Sequence, residues 1–314
     1  MMLVRIVKNW DYPDLMRQTP GGEGVWDGIQ FTLAEVKECD FLIILNDMRK
    51  KLEVDCPPGN VWAIFQEPYV PGFFPWMRHG HRKFARVYTC HAPRPGKRYH
   101  LSQPMVPWHV GKSYDECVSD RCPEKKDRIC WVTSDLAVLP GHKLRHAFYR
   151  FLQSISWPEL EIWGRGIRPV EDKWDALAPS KYAIAIENYR GPYYWTEKIS
   201  DCWLAYSLPF YYGCQNLEEY FPPESFIRID LSDFSSAVSL IRRSCEQGEY
   251  EKRYSAICEA RQLLLDRWQF FPALAEEIGK VGSNDQQRRR LSLQPFGLNI
   301  FSSVKEKISR LRTT

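Results

Sequence analysis

Between Tyr182 and Asp230 the chain reads YAIAIENYRGPYYWTEKISDCWLAYSLPFYYGCQNLEEYFPPESFIRID. Tyr182–Ile186 is a short apolar run with the pattern of a strand. After it, Thr196 has the position of a helix cap, and Ile199, Cys202, Trp203 and Tyr206 recur at helical spacing. Pro209–Tyr212 and Phe226–Asp230 read as further strands. Strands alternating with helices fold into an α/β sheet rather than a sandwich or a bundle. The polar residues Glu187, Asn188, Tyr193, Tyr194, Glu197 and Lys198 gather where the first strand hands over to the helix. Ligands of such sheets lie outside the carboxyl ends of strands and beside helix N-termini, so this turn is a candidate site for an anion.

The same alternation extends over most of the 314 residues. Leu3–Val7, Asp40–Asn46, Val61–Gln66 and Ala85–Cys90 are strand-like in the first part. A stretch containing Pro, Gly and His follows, and then the charged run KSYDECVSDRCPEKKD, residues 112–127, which reads as a linker or a long surface loop. A second pattern starts at Arg128–Thr133. Leu144, Ala147, Phe148, Phe151, Leu152 and Ile155 then share one helical face, and Leu160–Trp163 is a strand running into Gly164-Arg165-Gly166. Two helices are expected over Asp233–Cys245 and Lys252–Gly279. The expected architecture is α/β, with two Rossmann-like domains facing a central cleft. Its parts are residues 1–111, a linker over 112–127, a second domain over 128–284, and a basic tail over 285–314.

Composition narrows the class of function. The aromatic load of 12 Trp, 16 Tyr and 16 Phe supplies a large core and also suits stacking on sugars or bases. Ten cysteines follow no signal-peptide core, which points to reduced thiols and a cytoplasmic protein. Cys117 and Cys122 lack the second ligand pair of a zinc site. From Gln286 onward there are seven basic residues and one acidic, more than the whole net charge of +4. The body is therefore slightly acidic and has no mark of a nucleic-acid binder.

Helix starts carry partial positive charge, so a cation in the first turn costs a few tenths of a kcal/mol up to about 1 kcal/mol. Lys143 and Arg145 follow Pro140-Gly141 at one predicted start, and Lys198 follows Thr196 at another. A bound phosphate would reverse both penalties. Solvated surface cations give the same pattern. No G-x-G-x-x-G follows the first strand, and the chain has neither a Walker loop nor a D-x-D. A diphosphate bound here would be neutralised by Lys and Arg rather than by a carboxylate-held metal.

Ile186-Glu187-Asn188, Tyr194-Trp195-Thr196-Glu197-Lys198, Pro209 to Gly213 and Pro223-Glu224-Ser225-Phe226-Ile227 stand in that order. Together they resemble the signature of the α-1,3/4-fucosyltransferases, glycosyltransferase family 10. Leu144-Arg145-His146-Ala147-Phe148-Tyr149 is similar to the R-x-x-F-Y helix of that family, and Phe65-Gln66-Glu67-Pro68 to its N-terminal F-E-S-P or G-E-N segment. The resemblance covers about Arg128–Asp233 strongly and the surroundings of Glu67 moderately. It implies a GT-B fold and inverting transfer of fucose from GDP-fucose to an acceptor oligosaccharide or lipid-linked glycan, in α-1,3 or α-1,4 linkage, with no cofactor or metal required. It also implies Arg145 and Lys198 as diphosphate clamps, Asn188 and Tyr194 as donor contacts, Glu197 on the ribose or fucose hydroxyls, Glu187 beside them, and Glu67 as general base. Glu187 is equally explained as a residue that holds the turn, and Glu67 as a strand-end carboxylate. Pro68–Arg86, rich in Pro, Phe and His, departs from the family pattern where the acceptor pocket should be shaped. A transferase for another GDP-deoxysugar and a catalytically silent carbohydrate binder share the same scaffold.

In the tail, Ile300, Val304, Ile308 and Leu311 form one apolar face flanked by basic residues. That pattern suits a helix lying on an anionic membrane surface, on the inner face for a cytoplasmic protein, and equally an ordinary helix packed on the body.

Overall fold

A computed structural model describes residues 1–93, 95–282 and 287–296. The chain divides into two compact units. The N-terminal unit takes Met1–Asp14, Gly24–Pro104 and the chain from Ala275 onward, and the C-terminal unit takes Leu15–Glu23 and Met105–Leu274.

The N-terminal unit is built on a seven-stranded sheet in the order β2-β3-β1-β4-β6-β7-β8. Its strands are β1 (Met2–Lys8), β2 (Val25–Trp26), β3 (Ile29–Thr32), β4 (Phe41–Leu45), β6 (Val61–Ile64), β7 (Arg86–Thr89) and β8 (Tyr99–Leu101); β5 (Leu52–Cys56) lies outside this sheet. All neighbours run parallel except β2 against β3. Every residue of β4 and β6 is buried, as expected of central strands covered on both faces. Among the described residues, the connections between these strands hold loops and 3-10 turns rather than the α-helices of a doubly wound sheet. Their sequences explain this: Pro57-Pro58-Gly59 and the Pro- and Gly-containing run from Pro68 to Gly80 cannot sustain helical hydrogen bonding.

The C-terminal unit is a five-stranded, fully parallel sheet in the order β10-β9-β11-β12-β13. The strands are β9 (Lys126–Val132), β10 (Leu160–Trp163), β11 (Ser180–Ile186), β12 (Leu208–Tyr212) and β13 (Ile227–Arg228). Helices α2 (Pro140–Gln153), α3 (Lys173–Leu177), α4 (Glu197–Leu204), α5 (Phe234–Glu246) and α6 (Glu249–Leu263) connect and cover them. Helix α2 turns Phe148 and Leu152 inward, with the Phe148 ring 5.7 Å from Trp131 and 5.2 Å from Phe234. Because strand order reverses at β9, the carboxyl ends of β9 and β11 form the topological switch point, where doubly wound sheets leave a crevice.

Three segments differ from the sequence reading. Residues 112–127 contain a capped helix, α1 (Tyr114–Ser119), in which Ser113 Oγ accepts from Glu116 N–H and Glu116 Oε2 accepts from Ser113 N–H. Its Cys117 is fully buried in the core of the C-terminal unit, so this stretch is part of that unit's packing. Lys252–Gly279 is not one helix: α6 ends in a π turn over Leu264–Trp268, and α7 (Phe270–Gly279) starts after the extended Gln269. Pro272 accounts for the break, since it has no N–H to donate and fits only the first turn of a new helix.

The third segment is the expected tail. Its described part is a strand, β14 (Arg289–Leu293), paired antiparallel with β5. Arg288 meets Glu38 and Asp40, both at 2.7 Å, and Arg290 meets Glu53 at 3.2 Å. Two of the three arginines thus have carboxylates on their own unit. The apolar face of Ile300, Val304, Ile308 and Leu311 lies outside the described residues. Among the described residues no helix is long and apolar enough to cross a membrane.

Candidate functional site

At the switch point of the C-terminal unit lies a cavity of about 190 Å³. It is lined by Thr133 and Ser134 after β9, by Arg145 from α2, by Lys173 from α3, and by Glu197, Lys198 and Asp201 from α4. His109 joins them.

Helix α2 starts beside this cavity with no side-chain cap and no acidic residue in its first turn. The Leu139 N–H is taken by His142 Nδ1 at 3.3 Å. Gly141 lets the helix approach closely, since a Cβ there would overlap the Asn188 carbonyl. One turn further on, Arg145 is buried. Its Nη1 donates to Asn188 Oδ1 at 2.6 Å and its Nη2 to Ser134 Oγ at 3.3 Å. Both acceptors are neutral, and Arg145 Nε and Thr133 Oγ1 are buried with no protein partner. Burial holds the Arg145 guanidinium below its usual range, against the pull of Glu197 and Glu187. A buried cation with a free donor and no carboxylate bonded to it is poised for an anionic ligand. Lys143, on the same turn, is exposed and outside the cavity.

The start of α4 is organised by Glu187, which follows β11 and is 1% exposed. Its Oε1 accepts from Thr196 N–H at 2.8 Å and its Oε2 from the Thr196 hydroxyl at 2.7 Å. The Thr196 hydroxyl in turn caps the helix by accepting from Lys198 N–H at 3.4 Å. Burial raises the Glu187 carboxyl above its ordinary range, with Lys198 opposing. Glu187 therefore acts on the turn: it fixes Thr196, and Thr196 fixes α4. Gly213 is needed alongside, because a Cβ there would overlap the Glu187 side chain and the Tyr211 hydroxyl.

Lys198 Nζ stands 3.1 Å from Glu197 Oε1 and 3.5 Å from Glu187 Oε2. Burial pushes the Glu197 carboxyl up, but Lys198, His109 and Lys173 outweigh it and hold the group well below the usual carboxylate range. Glu197 is thus ionised and able to accept from ligand hydroxyls. Tyr194 is buried, with its ring edge-on to Tyr189 at 5.7 Å, and it does not line the cavity.

Three site residues escaped the sequence reading. Asp201 is 1% exposed; it accepts from His109 N–H at 2.8 Å and from Lys173 Nζ at 2.8 Å. Its place one turn after Glu197 on the same helix face was the available signal. Lys173 opens the short α3, where Asp172 caps by accepting from Trp174 N–H, and nothing in its own sequence marks it. His109 was one of several loop histidines.

The His109 imidazole is pushed down to about 4, chiefly by burial, which with Lys173 and Lys198 outweighs the opposing pull of Glu197 and Asp201. His142 is also lowered to about 4, by burial and then by Arg145. An unfolded chain takes up these protons near pH 6.5 while the folded chain stays neutral. Stability is therefore fully present above pH 6.5 and falls as pH drops toward 4, by on the order of 1–3 kcal/mol for His109. Urea unfolding at pH 7, 5.5 and 4.5 checks this: His109→Gln should flatten the acid-side slope, and an unchanged slope would remove His109 from the account.

Glu67 is placed separately, in the N-terminal unit. It follows β6 at the carboxyl edge of that sheet and is half-buried. The preceding residue is pinned on both sides, with Gln66 N–H donating to Asn46 Oδ1 at 2.8 Å and Trp10 Nε1 donating to Gln66 Oε1 at 3.0 Å.

Residues 122–261 match the family described as glycosyltransferase family 10 (fucosyltransferase) C-term. This segment, a little under half of the chain, is thus similar to the C-terminal part of that family. The alpha-(1,3)-fucosyltransferase FucT of Helicobacter pylori is 30% identical to the chain over 137 residues, 38% of this chain and 28% of that protein. The chain thus spans under a third of the length of that curated relative. A crystal structure of an alpha1,3-fucosyltransferase is similar with a TM-score of 0.50 at 15% identity, covering 86% of this chain and 92% of the other. That likeness extends over both units, so the two Rossmann-like units are those of the GT-B fold. The matched stretch contains Thr133, Ser134, Arg145, Lys173, Glu187, Glu197, Lys198 and Asp201, and leaves out His109.

Proposed function

We propose that the chain is an inverting fucosyltransferase that moves fucose from GDP-fucose to a hydroxyl of an acceptor glycan, in α-1,3 or α-1,4 linkage. The observation that carries this reading is the buried Arg145 at the switch point, hydrogen-bonded only to neutral groups and keeping Nε free, inside the stretch that matches family 10. The diphosphate would lie at the open start of α2, with Arg145 and Lys198 as its counter-charges. Asn188 supports the reading by orienting Arg145, and ionised Glu197 is suited to accept from ribose or fucose hydroxyls. Glu187 and Tyr194 would act through the shape of the turn.

Chemically, Glu67 accepts the proton of the acceptor hydroxyl as its oxygen bonds to the anomeric carbon. The bond from that carbon to the phosphate oxygen breaks on the opposite face, and GDP leaves with the electron pair. A β-linked donor thereby yields an α-linked product. The charge that grows on the departing diphosphate meets fixed cations in a site of low dielectric, where they are worth most. The described residues contain no group of three His, Cys, Asp or Glu side chains that could hold a metal ion. In this reading Arg145 and Lys198 do the neutralising. Acceptors would be oligosaccharides or lipid-linked glycans, met by a cytoplasmic enzyme.

Incubation with GDP-fucose, GDP-mannose and UDP-sugars, with and without EDTA, tests the proposal. Nucleotide release should be specific to GDP-fucose, dependent on a glycan acceptor and indifferent to EDTA. Release from GDP-mannose alone would instead favour a transferase for another GDP-sugar.

A further inference from the structure

The N-terminal unit has a second and larger cavity, of about 870 Å³, lined by the last residues of β1 and by the segments that follow β3 and β4. Seven of its lining residues are cationic and three are acidic. The three acids are each matched: Asp11 by Arg49 at 2.9 Å, Glu35 by Lys50, and Glu53 by Lys51 and Arg290. Lys37 is exposed, and Arg5 and Lys8 are left with backbone carbonyls as acceptors. Arg5 is 5% exposed, its Nη1 donates to Val36 O at 3.1 Å, and its Nε is buried without a protein partner. Lys8 Nζ donates to Trp10 O at 2.7 Å and to Asp11 O at 3.2 Å, and it lies 4.2 Å from the centre of the Trp10 ring. Burial lowers both cations from their ordinary range, so each pays for being charged without a bonded carboxylate.

Two buried or half-buried cations beside an indole, in a cavity of ligand size, make a mixed charged and stacking site. The indole is also tied to the segment that carries Glu67, through the Trp10–Gln66 hydrogen bond of 3.0 Å. We propose that this cavity binds a saccharide bearing an anionic group, a carboxylate or a phosphate ester, with Arg5 and Lys8 on the anion and Trp10 on the sugar ring. As a statement about the acceptor it deepens the transferase reading and rests on it; the binding of an acidic sugar stands without any transfer.

Calorimetric titration of the full chain, without donor, separates the outcomes. The probes are methyl glucuronoside, glucose 6-phosphate, methyl glucoside and inorganic phosphate. At least one of the two acidic sugars should bind tenfold or more tighter than methyl glucoside and tighter than inorganic phosphate, and which one it is identifies the anion. Lys8→Met should weaken that binding at least tenfold, and raised salt should weaken it further. Arg5→Gln is the stronger test where near-ultraviolet circular dichroism shows a native core. Equal binding of acidic and neutral sugars, or an unchanged affinity in Lys8→Met, would overturn the proposal. Inorganic phosphate binding as tightly as the sugars would overturn the saccharide assignment. Loss of acidic-sugar binding with GDP-fucose turnover on neutral glycans intact would sink this inference alone, whereas binding without any turnover would sink the transferase reading.

Discussion

Replacing Arg145 with Met should lower kcat/KM for GDP-fucose by about 10²–10³, the usual consequence of removing one preorganised donor from a developing charge. Met keeps much of the volume, so the packing of α2 against Trp131 and Phe234 survives. What is lost is, among the described residues, the cavity cation that has neutral partners alone: Lys173 is held by Asp201 at 2.8 Å and Lys198 by Glu197 at 3.1 Å. Those two lysines largely offset the carboxylates around them, whereas Arg145 would supply the positive charge that attracts the proposed diphosphate. Arg145→Lys should fall between, because an ammonium retains the charge but cannot reach Asn188 Oδ1 and Ser134 Oγ with separate nitrogens as the guanidinium does. Steady-state kinetics with the donor varied decide the matter. A change of less than threefold in Arg145→Met would remove Arg145 from the diphosphate site.

The second large effect is expected at Glu67. Glu67→Gln is nearly isosteric and leaves the Gln66 anchors in place, so the loss should be confined to proton transfer. For a general base that loss is about 10²–10⁴ in kcat, with the KM for GDP-fucose within a factor of about two. If Glu67 is only a carboxylate at a strand end, kcat will stay near wild type and the base must be sought elsewhere on the N-terminal unit.

Much of the C-terminal unit could be read from the chain because each local signal agreed with the global fold. Tyr182–Ile186 became β11, Thr196 became the cap of α4, and Asp233 the cap of α5, where its Oδ1 accepts from Ser236 N–H at 3.1 Å. The cations at the two helix starts led to Arg145 and Lys198, yet the same argument included Lys143, which is exposed. Helical phase separates them: Lys143 and Arg145 are two residues apart and cannot share a face. Lys173 and His109 were illegible for a different reason. Their place in the cavity comes from Asp201, which accepts from the side chain of one and the backbone of the other, and no local pattern encodes such a long-range bond.

In the N-terminal unit the four central strands were legible and the edges were not. Residues of β2 and β8 are too few to show a period, and β5 alternates buried and partly exposed positions over LEVDC in a stretch that reads as polar. The partner of β5 lies over 200 residues later, in Arg289–Leu293. The sequence places Arg288 and Arg290 in a basic tail, whereas in the structure the carboxylates of Glu38, Asp40 and Glu53 match them. The S-x-x-E of Ser113–Glu116 was a readable capping box inside a segment whose charge suggested a linker.

In the proposed function the switch-point cavity is a nucleoside diphosphate site that works through Arg145. Titrating the full chain with GDP in EDTA, and then the Arg145→Met variant under the same conditions, measures this directly. Saturable 1:1 binding by the wild type, weakened at least thirtyfold in the variant, is the predicted result. Absent binding, or equal affinity in both proteins, would contradict it.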